Sequence, residues 1–159
     1  MLLLALVVKN NHFAVQHRLT YDDHIRCVRK CFTMPLIHIR SLPMEMPLDM
    51  PAVLKGISSQ FCRDVGVEER HVTVSWDYFR PGHYRVGGAA GDIFDARKHQ
   101  ILVELLVPDF NGKGTVAGMM QSLEKALAAS TGLPEGCIFI HCRYAQSEMV
   151  MEGTEIVRW

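Results

Sequence analysis

"PLIHIRSL", residues 35–42, is followed 66 residues later by "ILVELLVP", residues 101–108, and the superposition of the two needs no gap. Ile37 and Ile39 fall on Val103 and Leu105, so both stretches alternate apolar with other side chains, as strands with one buried face do. The same offset continues down the chain. Asp49 is placed as a helix N-cap, with Pro51 in the first turn. An apolar stripe follows at Met50, Val53, Leu54, Ile57, Phe61 and Val65. Its counterpart is Val116, Met119, Met120, Leu123, Leu127 and Thr131. Gly66 and Gly132 are each placed to end a helix as a C′ glycine.

A short connection and another strand follow each glycine: "HVTVSWDY" (71–78) and "CIFIHCRY" (137–144). Each half therefore reads strand, helix, strand, and a helical crossover makes the two strands of a half parallel. The expected fold is α/β (α+β): tandem β-α-β units, 35–88 and 101–153, sharing one four-stranded sheet with two helices on one face. Residues 35–159 are expected to form a single domain, and 1–33 an extension outside the repeat. That extension reads as the product of an upstream start or a leader; the rival reading is a genuine extension that blocks Pro35.

The helical period accounts for the Met and Phe stripes as core, so no cofactor box is needed. On the strands, the alternate positions are His38, Arg40, Thr73, Ser75, Asp77, Glu104, Phe139, His141 and Arg143, mostly polar or charged. This face is either wetted or lines a channel or interface in a symmetric oligomer.

Composition narrows the classes further. Nearly half of the 159 residues are apolar, enough to offset the entropy of ordering. Seventeen basic residues balance seventeen acidic ones without a long basic run, which argues against nucleic acid as a partner. Five cysteines without framework spacing fit reduced thiols and a cytoplasmic location. His24, Cys27 and Cys31 give only three ligands, so no metal site is expected. "MLLLALVV" (1–8) is too short to span a bilayer and lacks a convincing cleavage site, so no membrane association is expected. His141 and Cys142 are not a thiol–imidazole dyad, because adjacent strand residues point to opposite faces. "FNGKGTV" (110–116) lacks the spacing of a nucleotide loop and reads as a turn into the second helix.

Pro35 remains as a candidate catalytic residue. If the chain were to begin there, after removal of Met34 as an initiator, its secondary amine would be free. Burial beside cations would depress its pKa and make the neutral, proton-accepting form available near pH 7. An internal Pro35 has an amide nitrogen and is inert as a base.

A proline opening a strand, the strand–helix–strand unit and "VTVSWDYFRPGHYRVGG" (72–88) together resemble the tautomerase superfamily of 4-oxalocrotonate tautomerase and macrophage migration inhibitory factor. The resemblance covers 35 to about 153, and "GHYRVGG" (82–88) matches the family's hairpin pattern at the right spacing from Pro35. It implies a homotrimer with sheets around a central channel and keto–enol tautomerisation, or a related proton transfer, on a small keto or unsaturated carboxylic acid, without a cofactor. By this resemblance Pro35 is the general base and Tyr84 the hairpin aromatic that walls the pocket. The family's two substrate arginines do not carry over, since Glu45 and Thr73 stand at those positions. Arg40 is the first candidate to hold the substrate carboxylate, with Arg80 and Arg143 behind it. The alternative is a non-catalytic trimeric binding or structural module of the same fold.

Overall fold

The computed structural model describes residues 34–159. The expected extension 1–33, its apolar opening and the trio His24, Cys27 and Cys31 lie outside the described residues. Ten elements follow in chain order: β1 (Leu36–Ser41), α1 (Met50–Val65), β2 (Thr73–Tyr78), β3 (Arg85–Val86), β4 (Ala89–Ala90), β5 (Ile101–Pro108), α2 (Lys113–Thr131), β6 (Ile138–Ala145), β7 (Met151–Glu152) and β8 (Glu155–Ile156). Short 3-10 turns, Glu69–His71 and Glu135–Cys137, lead into β2 and β6.

The main sheet has the order β2-β1-β5-β6. β1 pairs parallel with β2 and β5 parallel with β6, while β1 and β5 meet antiparallel at the centre. Each half is thus the expected strand–helix–strand unit. Ile37, Ile39, Val103 and Leu105 are buried in one core with Val53, Ile57 and Phe61 of α1 and Val116, Leu123 and Leu127 of α2. Both helices therefore cover the same sheet face.

The helices form where capping and periodicity place them. Asp49 accepts a hydrogen bond from the Ala52 N–H, and Pro51 occupies the first turn, where its missing N–H removes no helical bond. Gly66 and Gly132 end the helices in the left-handed region, with φ of 72° and 71°. α2 starts at Lys113, three residues before the counterpart of Met50, and its N-cap Gly112 offers no side chain. Cys62, Ser122 and Ala126 are also buried, beyond the expected stripes. The Ser122 hydroxyl donates to the Asp64 carboxylate at 2.7 Å, a polar tie between the helices.

The repeat extends further than the sequence reading took it. β3 and β4 form a two-residue hairpin around Gly87 and Gly88, whose φ values of 53° and 86° suit its tight turn. β7 and β8 form its counterpart around Gly153, 66 residues on. The second unit therefore runs to Ile156 rather than ending at 153. The turn ahead of each hairpin repeats as well: the His83 N–H donates to the Arg80 carbonyl, and the Met149 N–H to that of Gln146. Among the described residues no helix is long and apolar enough to cross a membrane.

Candidate functional site

Pro35 directly precedes β1 and is buried, as is Met34 before it. Its carbonyl accepts the Thr73 N–H at 3.1 Å, which fixes the start of β1 against the start of β2. In this chain its nitrogen is joined to Met34 in an amide. Pro35 stands at the sheet end where β1 and β2 begin and the antiparallel β5 and β6 finish.

The other candidates are distributed over both ends. Arg40 lies opposite Asp77 and Leu102, toward the far end of β1, about 17 Å from Pro35 at strand rise. Its guanidinium carbon is 6.0 Å from the centre of the Phe79 ring, and its buried Nε has no hydrogen-bond partner among the described residues. Tyr84 packs 5.0 Å from Phe79, centre to centre, at the same far end. Its hydroxyl donates to the Gln100 carbonyl at 3.1 Å and accepts the Gln100 N–H at 3.0 Å. That phenol is a structural clasp between the hairpin and the entrance to β5. Arg80 is exposed, its carbonyl closing the turn to His83. Arg143 is exposed and faces Glu104 at 3.7 Å. By register Arg143 shares a row with Leu106 and Leu36, which puts it at Pro35's end, two strands or about 10 Å from β1. One chain therefore brings Arg143 nearest to Pro35 by register and keeps Arg40, Arg80 and Tyr84 at the opposite end.

The polar sheet face is organised about its centre. Ser75, His38, Glu104 and His141 form one row across the four strands. His38 Nδ1 is 2.9 Å from the Ser75 hydroxyl, and its Nε2 is 3.6 Å from Asp77. Glu104 stands 66 residues after His38, so these two cross-strand partners exchange places when one half is laid on the other. Asp77 and Arg143 exchange likewise. The contact between Asp77 and His38 in the first half thus recurs between Arg143 and Glu104, with the carboxylate on the other member of the pair.

A surface cavity of about 390 Å³ opens at the far end, between the first hairpin and the 3-10 turn before β6. Its wall includes Val86, Arg97, Lys98, His99 and Cys137. His99 is buried, and its Nδ1 accepts the Asp95 N–H at 2.9 Å. With Nδ1 accepting, the ring carries its proton on Nε2, which has no partner among the described residues. The Asp95 carboxylate accepts the Arg97 backbone N–H and faces the Arg97 and Lys98 cations. Those contacts, the backbone bond first, hold its pKa down to about 2. Burial pushes the Cys137 thiol up, and the thiol donates to the Pro134 carbonyl, so it is poorly suited to act as a nucleophile. The sequence reading missed this group. Its one local signal was the basic run "RKH" (97–99) after Asp95, in the connection between the repeats.

Solved structures place this architecture. The chain is similar to the F6 fused 4-OT wild type, an asymmetric trimer, with a TM-score of 0.66 at 10% identity over 77% of this chain and 96% of that one. Pt0534 inactivated by 2-oxo-3-pentynoate gives 0.64 at 15% identity, over 77% and 94% of the two chains. Malonate semialdehyde decarboxylase gives 0.56 at 13%, over 75% and 91%. The chain shares the fold of these solved structures. No protein-family profile and no curated protein sequence matches the chain.

The two positions that lack the expected arginines are both solvent-exposed. Thr73 lies beside Pro35, joined to it through the backbone, and so offers a hydroxyl where a cation was expected. Glu45 lies in the connection between β1 and α1. Arg143 is the nearest of the candidate arginines to Pro35 by register.

Proposed function

We propose that the protein is a tautomerase-like enzyme that catalyses keto–enol tautomerisation, or a related proton transfer, on a small keto or unsaturated carboxylic acid. The observation that carries this reading is the buried proline at the head of β1 in a tautomerase-superfamily fold. In this reading the residues ahead of Pro35 are removed and its secondary amine is freed. The freed amine then acts as a base in its neutral form. It takes a proton from one carbon and returns it to another, while an arginine holds the carboxylate and favours the developing enolate. Neither step calls on a metal or an organic cofactor.

A trimer follows in the same reading. Because Arg40 and Tyr84 lie a strand's length from Pro35, they join it only if one subunit's Pro35 end meets its neighbour's hairpin end. Arg143 is the alternative cation supplied within the same subunit. A non-catalytic trimeric module of the same fold is favoured by the Tyr84 hydroxyl, both of whose bonds go to Gln100, and by Thr73 and Glu45 in place of arginines.

The deciding experiment is the intact mass of the native protein, followed by ketonisation of phenylenolpyruvate and 2-hydroxymuconate by wild type and Pro35→Ala. A chain beginning at Pro35, with activity lost in the variant, supports the enzyme. A retained Met34–Pro35 amide, or activity indifferent to the substitution, means that the fold serves binding.

A further inference from the structure

We propose that the cavity beside the first hairpin is a binding site for a small monocarboxylate. This goes beyond the proline reading, because the cavity lies at the opposite end of the sheet from Pro35. Its volume of about 390 Å³ falls in the range of small-molecule sites. Val86, Ala89 and Ala96 supply apolar wall, while Arg97 and Lys98 supply charge, and among the described residues no carboxylate lines the cavity. The adjacent Asp95 offsets one of those two cations. The local surplus is one positive charge, which matches one carboxylate better than a phosphate dianion.

His99 is the independent second observation. It is 4% exposed, its Nδ1 is committed to the Asp95 N–H, and its Nε2–H is a buried donor without an acceptor. Buried polar groups are nearly always paired, so this donor, sealed beneath the Gly91 turn beside the cationic cavity, gains an acceptor where a ligand oxygen reaches it. The Gly91 turn packs against this side of the ring. A Cβ at that position would lie 2.7 Å from His99 Cε1 and 2.9 Å from Nε2. The glycine turn against the ring must give slightly for a ligand oxygen to reach the nitrogen. Arg97 directs its Nε and one Nη at the Asp95 carboxylate, at 3.3 and 3.4 Å, so a ligand carboxylate shares the guanidinium with that side chain.

The test is titration of the full chain with sodium butyrate at low ionic strength, followed by calorimetry and by ¹⁵N signals of labelled histidine side chains. Butanol serves as the uncharged counterpart, and inorganic phosphate and sodium chloride as competing anions. The expected result is saturable one-site binding with a shift of the His99 Nε2 signal and no response to butanol. Affinity should fall about tenfold or more in Arg97→Gln/Lys98→Gln, a loss of charge-assisted contacts. Both side chains are largely exposed, so this variant keeps the fold, and its thermal melt checks that. Gly91→Ala should weaken binding without altering any charge, and Pro35→Ala should bind as wild type does. Absence of saturable binding, tighter binding of phosphate, equal displacement by chloride, or an unchanged affinity in the double glutamine variant would each overturn the site.

Discussion

Gly82 and Glu148 occupy the same place in the two repeats, and both adopt a left-handed backbone, with φ of 75° and 68°. Glycine does so without steric penalty, whereas an L side chain pays about 1–2 kcal/mol there. Glu148 recovers part of this through the 2.7 Å contact between its carboxylate and the Arg158 guanidinium. Nothing lies within 4 Å of a Cβ built at Gly82, so Gly82→Ala isolates backbone strain. It should lower the unfolding free energy by about 1 kcal/mol in urea titration. Glu148→Gly relieves a similar strain but loses an exposed ion pair and gains unfolded-state entropy, each about 0.5–1 kcal/mol, so its stability should stay within about 0.5 kcal/mol of wild type. The asymmetry between the two substitutions is the point. A turn held by local geometry alone predicts it, while equal losses would mean that the two turns carry different tertiary loads.

At the scale of elements, Gly56 of α1 faces Ser130 of α2: a Cβ on Gly56 would meet the Ser130 hydroxyl at 2.8 Å but its Cβ only at 3.7 Å. The obstruction is thus one rotatable oxygen, set against a helix preference of about 1 kcal/mol for alanine over glycine. Gly56→Ala alone should stabilise by a few tenths of a kcal/mol, and Gly56→Ala in a Ser130→Ala background by about 1 kcal/mol relative to Ser130→Ala. A loss in both backgrounds, measured by denaturant titration, would show that α1 cannot accept a methyl group against its partner. The helices and main strands were legible in the sequence because period, caps and C′ glycines agree with one another and recur after 66 residues. The second hairpin was not, since Gly153-Thr154 replaces the Gly87-Gly88 signal and only the 66-residue spacing gives it away. The candidate site was legible in part: alternation placed Arg40 and Arg143 on one face, but it carries no information on which end of an antiparallel sheet each residue reaches. Tyr84 illustrates the same limit. A hairpin motif identifies the aromatic, whereas its hydroxyl bonds to Gln100 arise from a loop that no periodicity describes.

For the whole molecule, the antiparallel meeting of β1 and β5 sets the functional question. It makes the two halves nearly interchangeable about His38 and Glu104, yet Pro35 has Ile101 as its counterpart, so the chain carries a proline at one head strand only. The same arrangement points Arg40 and Tyr84 away from Pro35. If catalysis joins the two ends, it does so between subunits, and complementation measures this directly. In chains beginning at Pro35, Pro35→Ala and Arg40→Ala should each be inactive alone. Mixed one to one, unfolded and reassembled together, they should recover about a quarter of wild-type activity, because a site drawing proline from one subunit and arginine from the next is intact in one random pairing of four. If Pro35 works with Arg143 of its own subunit, Arg40→Ala should stay active by itself, and a mixture of Pro35→Ala with Arg143→Ala should recover nothing. The two outcomes separate an arginine supplied by the neighbouring subunit from one supplied by the same sheet, a distinction that follows from register alone.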